Sequence, residues 1–306
     1  MRIFENTHFP FVKHRKKAYV FSGALMLLSV VSLMTRGLEL GIDFTGGMEF
    51  VVSGASAPGA TAVREALTPA LGSEPEVKTF GESDLLIRVA AEGEITEVQQ
   101  RIIETIRQRF PGTQPAIVQT DVVGPRFAED LKQAALYSVL GAMLVIFVYI
   151  LIRFEWRFGL GAVVALFHDI LITLGLFSFL HGWLPFSLAI DQTIIAAFLT
   201  IAGYSVNDTV IVFDRIREYT TIFKTTPFEE VVDRSINATL SRTIITSGST
   251  LLVILVLFIF GGEVLKGFTF ALLVGIGIGT YSSIFVASPI VIELKRARRQ
   301  RLAVAR

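Results

Sequence analysis

Cysteine is absent from the 306 residues, which removes disulfides, thiolate nucleophiles and cysteine-held metals from consideration. Charge is also scarce. Only 18% of the residues are Asp, Glu, Lys or Arg, against 52% hydrophobic, and the mean hydropathy is +0.60. Such a chain is too apolar for an ordinary soluble globule. The 28 basic and 27 acidic residues nearly cancel, so there is no overall basic surface for nucleic acid. Catalytic and nucleotide motifs are missing as well: no Walker sequence, GxSxG, serine–lysine motif or protease carboxylate pair occurs, and the four His form no HExxH. Neither enzyme chemistry nor a bound metal is expected, and energy from ATP bound by this chain is not. GIGIGT at 275–280 lacks the GxGxxG spacing and lies in an apolar run. There, Gly275 and Gly279 suit close helix packing.

What is present is long apolar sequence. A hydrocarbon core of roughly 30 Å needs about 20 helical residues, and six stretches qualify: 18–35, 133–152, 158–180, 190–213, 243–260 and 267–292. The first follows KHRKK and is not followed by a small-residue cleavage site after MTRG, so it reads as an uncleaved signal anchor. Basic residues alternate from side to side. Residues 1–17 carry five, 153–157 two, 214–242 five and 293–306 six, whereas 36–130 has eight with fifteen acids, 181–189 none, and 261–266 only Lys266. By the positive-inside rule both termini are cytoplasmic. The resulting division is a cytoplasmic N-terminus (1–17), a first span (18–35), an external domain (36–130), spans two to six within 131–292, and a basic cytoplasmic tail (293–306).

The external segment has the size of a small folded domain. GGMEFVVSG reads as a strand, TAVREALTPALG as a helix, VKTF and DLLIRVA as strands about a turn at Gly81, ITEVQQRIIETIRQRF as a helix and PAIVQTDVV as a closing strand. This is the ferredoxin-like α+β order. The fold class is therefore a polytopic α-helical membrane protein of six transmembrane helices with an α+β domain between the first two. On the other side, TPFEEVVDRSINATL carries Thr226 as a cap, Pro227 at the first helical position and Glu229 three residues after the cap. It predicts a cytoplasmic connector helix at 226–240, either along the membrane surface or packed on neighbouring spans.

Ionisable residues at membrane depth are costly and read as functional by default. Asp208 lies in the fourth apolar run, and His168 and Asp169 lie inside the third. Thr200, Tyr204 and Asp208 recur every four residues with Ser205 and Asn207 beside them, making a polar stripe. Arg242, Thr246, Ser249 and Thr250 do the same on the fifth span, which enters from the end where Asp214 lies. A long arginine on that span reaches toward Asp208. A guanidinium and burial act oppositely on a carboxyl group, so this pair suits proton coupling, with His168 and Asp169 as a relay. Two alternatives stand beside it: Arg242 as a snorkelling anchor and Asp208 as static polar glue. In GIDFTGG, Asp43, Gly46 and Gly47 form either a plain turn or a coupling element between the first span and the external domain.

Taken together, GIDFTGG (41–47), VGP (123–125), HDILITLG (168–175), GYSVNDTVIVFDRIRE (203–218) and NATLSRTIITSGST (237–250) resemble the SecD/SecF protein-export family of the resistance-nodulation-division superfamily, on the side of its smaller member. The resemblance covers nearly the whole chain. It implies a bacterial inner-membrane subunit that pairs with a SecD-like six-span partner beside the SecYEG channel. There it uses proton motive force to draw unfolded preprotein to the periplasmic side, amid membrane lipid. By motif it puts the proton-linked aspartate on Asp208 and its arginine on Arg242; Asp169 and Asp214 match further charged positions. No cofactor is implied beyond the coupling ion, a proton with sodium as the alternative. A proton-coupled exporter of small or lipidic solutes is the competing reading. Ala128 stands where the family pattern carries a glycine.

Overall fold

The computed structural model describes residues 7–55, 58–81, 83–90, 93–184 and 186–304. Six helices among them are long and apolar enough to span a membrane. Helix α1 (Arg15–Thr35) leads through a one-turn helix α2 (Ile42–Thr45) into the α+β domain. That domain comprises β1 (Gly47–Ser53), α3 (Ala60–Leu71), β2 (Glu76–Phe80), β3 (Asp84–Val89), α4 (Ile95–Arg109) and β4 (Ala116–Val123). Five membrane-length segments follow: α5 (Pro125–Arg153), α6 (Trp156–Leu180), α7 (Gln192–Ile222), α8 (Phe228–Phe260), and α9 (Lys266–Ser282) continued by α10 (Ser288–Val304). Together these elements make a multi-pass membrane protein.

The domain has the expected element order. Its antiparallel sheet runs β2-β3-β1-β4, the ferredoxin-like arrangement. Strand alternation decides what each face does. Phe50, Val52, Leu85 and Ile87 point to one face and are fully buried against Leu67 of α3 and Ile102 and Ile106 of α4. Each such burial contributes about 1.5–3 kcal/mol. Glu49, Val51, Leu86 and Arg88 line the opposite face, which meets the end of the helical bundle across a cleft of about 290 Å³.

Within the bundle the cohesion differs, because lipid is as apolar as leucine and close packing of small residues takes over. A Cβ on Gly175 of α6 would lie 2.2 Å from Ser29 of α1. Beside it, Ser32 and Ser178 share a hydrogen bond of 2.9 Å. Gly275 and Gly279 of α9 bear out close packing: a Cβ there would meet Ile201 at 2.3 Å and Ser205 at 3.0 Å on α7.

Three boundaries depart from expectation. Span two starts at Pro125, which follows extended Gly124 and fits the first helical turn. Span four runs on to Ile222. The stretch 226–240 is not a separate connector helix but the first part of one 33-residue helix, α8, because no glycine or proline interrupts residues 228–247. Thr226 does not cap it; Pro227 occupies the cap position without a side-chain hydrogen bond.

Candidate functional site

The glycine-lined seam between α7 and α9 draws in α6 and α8, and four spans contribute polar side chains to its interior. Asp169 on α6 is fully buried. Its Oδ2 accepts hydrogen bonds from Ser205 Oγ of α7 at 2.5 Å and Ser282 Oγ of α9 at 2.8 Å. Its Oδ1 lies 2.9 Å from His168 Nδ1. The His168 ring stacks on Tyr281 at 6.3 Å between centroids, and its Nε2 is buried with no hydrogen-bond partner among the described residues. One turn after Ser205, Asp208 is also fully buried. Its Oδ2 accepts from Ser247 of α8 at 3.0 Å and Thr280 of α9 at 3.3 Å, and Thr280 also donates to Ser247 at 2.9 Å. Among the described residues, Asp208 Oδ1 and Thr243 Oγ1 are buried without a hydrogen-bond partner. A buried polar atom left unpaired costs about 1–3 kcal/mol.

Two carboxylates thus flank one seam, each fixed by hydroxyls from neighbouring helices. His168 and Asp169, expected as a pair separate from Asp208, are brought together with Ser205 and Asp208 along one seam. The other expected lining residues are not. Arg242 is exposed and forms no ion pair among the described residues; it acts on Asp208 only through space. The reason is helical phase: Thr239, Thr243 and Ser247 form the buried face of α8, and Arg242, one residue before Thr243, is rotated about 100° away. Thr246 and Ser249 share its exposed side and bond to their own backbone at Arg242 O and Thr246 O. Thr200 and Asn207 are exposed on α7, and half-buried Tyr204 donates to Thr250 at 3.2 Å. Asp214 pairs with Arg153 of α5 at 3.0 Å on the surface, outside the buried network. Ser247, Thr280, Ser282 and Thr243 escaped the sequence reading. The four-residue recurrence of Thr239, Thr243 and Ser247 was the available signal.

Asp43, Gly46 and Gly47 sit where the domain meets the bundle. Asp43 Oδ2 accepts from the Gln192 backbone N–H at the start of α7, at 2.9 Å. Leu40 and Ile190 form a parallel bridge. Gly47 has φ +134, and a Cβ would lie 2.7 Å from Val89 O, so only glycine fits. Next to this junction lies a charged hub. Arg88 holds Glu49 at 2.8 Å, Glu76 at 3.0 Å and Leu40 O at 3.2 Å. Glu39 contacts Lys78, and His181 of the α6–α7 loop comes within 2.5 Å of Glu39. Burial holds the Glu39 carboxyl above its ordinary value, against the pull of Lys78. Burial and then Lys78 hold His181 below its own.

Six membrane helices packed around buried carboxylates, with a ferredoxin-like domain seated on one end, define a multi-pass membrane protein with an ionisable core. The chain belongs to the SecD/SecF family of protein export membrane proteins, in its SecF branch. Residues 103–297 match the family profile "Protein export membrane protein SecD/SecF, C-terminal", and residues 31–54 match the SecD/SecF GG motif. Among relatives, the protein translocase subunit SecF of Rhodothermus marinus is 80% identical over the full length of both chains. That of Desulfurispirillum indicum is 42% identical over 92% of this chain and 90% of its own. A crystal structure of SecDF from Thermus thermophilus, a translocon-associated membrane protein, superposes with a TM-score of 0.85 at 34% identity over 97% of this chain. The chain spans 40% of that longer protein.

Proposed function

We propose that this chain is the SecF-type subunit of a proton-motive-force-driven complex that promotes preprotein export across the bacterial inner membrane. It pairs with a SecD-type six-span subunit next to the SecYEG channel and acts on unfolded preprotein at the periplasmic side. The observation that carries this reading is Asp208: fully buried, held on one oxygen by Ser247 and Thr280, and with no partner for the other among the described residues. Such a group alternates between an ion held by hydroxyls and a neutral acid, and each passage through the field is worth about 2.3 kcal/mol per charge per 100 mV. The asymmetry of Lys and Arg supports cytoplasmic termini and a periplasmic α+β domain.

A route from the proton to mechanical motion lies in the backbone. Asp208 rides on α7, whose first turn is tied to Asp43 and bridged through Ile190 to Leu40. A shift of α7 is therefore felt where the outer domain begins. Arg242, near the cytoplasmic end, biases the charged state without neutralising it in this arrangement. Asp169 and His168 supply a second proton-holding group one turn away along the seam. The coupling ion is a proton, with no bound cofactor, and the role is transport rather than catalysis.

The test is Asp208→Asn, which keeps the side chain's size. The expected outcome is loss of proton-coupled stimulation of preprotein export with the SecD-type partner still co-purifying. Full export activity in this variant would overturn the reading.

A further inference from the structure

A second cavity, of about 290 Å³, opens on the flank of the bundle between α5, α6 and α7. Its walls include Phe44, Leu136, Met143, Ile170 and Phe198, and Lys132 is its one charged lining residue. Helix α5 is loosely held: only Ala128 and Ile150 of its 29 residues are buried. Leu136, Leu140, Leu144 and Val145 are more than half exposed, so the chain itself leaves this apolar flank open. We infer that this groove is a binding site for one glycerophospholipid of the outer leaflet, its acyl chain in the apolar cleft and its phosphate on the Lys132 ammonium.

Three observations commit the groove to this occupant. From Lys132 to Met143 the cleft descends eleven residues, about 16 Å at helical rise, which is half of a hydrocarbon core of roughly 30 Å and therefore one leaflet deep. Lys132 stands at the domain end, where the apolar part of α5 begins, and makes no ion pair among the described residues; a cation at that level meets headgroup phosphates. Apart from Lys132 the walls carry only apolar side chains, a lining that takes an acyl chain and offers a polar solute no hydrogen bond. Glu129, three residues before Lys132 and so its neighbour on the α5 surface, is exposed and supplies the complementary charge for the ammonium of an ethanolamine headgroup. Phe44 and Leu40 bring the groove against the junction segment. An acyl chain there braces α5, the helix that leaves β4 directly, against α7.

The test uses the full chain in proteoliposomes with phosphatidylethanolamine bearing a photoreactive group near the middle of one acyl chain. Labelling is expected in peptides 132–143 and 195–202. Ala142→Phe, which fills the cleft, should abolish it, while Val145→Phe, on the exposed face outside the cleft, should not. Lys132→Gln is a surface change that leaves folding intact. It should lower occupancy about fivefold, the loss of one lysine–phosphate attraction of about 1 kcal/mol. Equal labelling of all lipid-facing helices, labelling unmoved by Ala142→Phe and Lys132→Gln, or crosslinking of this groove to a partner polypeptide would each overturn the assignment.

Discussion

The hydroxyls around Asp169 allow its charge to be read from energetics. Ser205 Oγ donates to Oδ2 at 2.5 Å and both groups are buried, so a double-mutant cycle of Ser205→Ala with Asp169→Ala, whose methyl group cannot accept, isolates one interaction. Neutral hydrogen bonds between membrane helices average about 0.6 kcal/mol in such cycles. Bonds to a charged acceptor contribute about 1.5–3 kcal/mol. The gap is wide enough to decide. The serine vacates little volume, and a Cβ on the facing Gly279 would lie only 3.0 Å from Ser205 Cβ, so the backbones are already in close contact and repacking has little room to mask the loss. Reversible unfolding in bicelles, followed by steric trapping at a pH near neutrality, should give a coupling energy of at least about 1.5 kcal/mol if Asp169 is an anion held by two hydroxyls. A coupling near about 0.6 kcal/mol would mean a neutral acid at rest. Strict additivity would refute the network itself.

Other consequences are equally open to measurement. Gly203→Ala, with nothing within 4 Å of the new Cβ, should stabilise α7 by about 1 kcal/mol, whereas Gly175→Ala, driven into Ser29 at 2.2 Å, should destabilise by about 1–3 kcal/mol; equal shifts in unfolding would contradict the α1–α6 packing. Because burial holds His181 low, the unfolded chain binds its proton first as pH falls. Its contribution to stability is thus present above about pH 6.5 and lost below it. Glu39, held high, works in the opposite sense, losing its contribution as pH rises above about 4.5. His181→Asn should flatten the acid-side loss of protection in the α6–α7 loop, read by hydrogen exchange; an unchanged profile would show that the hub does not govern it. Asp214→Asn breaks an ion pair whose side chains are 42–44% exposed, so it should cost no more than about 1 kcal/mol and leave export near normal, in contrast to Asp208→Asn. Equal loss of export in both would move Asp214 into the coupling machinery.

The spans were legible because hydrocarbon thickness imposes a length on apolar sequence, and the α+β domain because strand and helix periods differ sharply between GMEFVVS and ITEVQQRIIETIRQR. His168, Asp169 and Asp208 were legible because ionisable residues are rare at that depth. The hydroxyl partners were not. Serine and threonine in a span most often bond their own preceding turn, as Thr173, Thr200, Thr246 and Thr269 do, so nothing local separates them from Ser247 or Ser282, which reach a carboxylate on another helix. Arg242 misled for a related reason. Contact depends on rotation about the helix axis, and that is set by which face of α8 packs. The π-helical turn at Ser283–Ala287, just after Ser282, is likewise silent in the sequence; Ser288 Oγ bonds back to Ser283 O across it at 2.9 Å.

The most direct measurement is difference infrared spectroscopy of the intact complex in proteoliposomes, with the carboxyl band of Asp208 identified by its disappearance in Asp208→Asn. The band of the protonated acid should rise and fall as a proton gradient is imposed and dissipated. An Asp208 that stays in a single protonation state throughout export would contradict proton coupling at this residue.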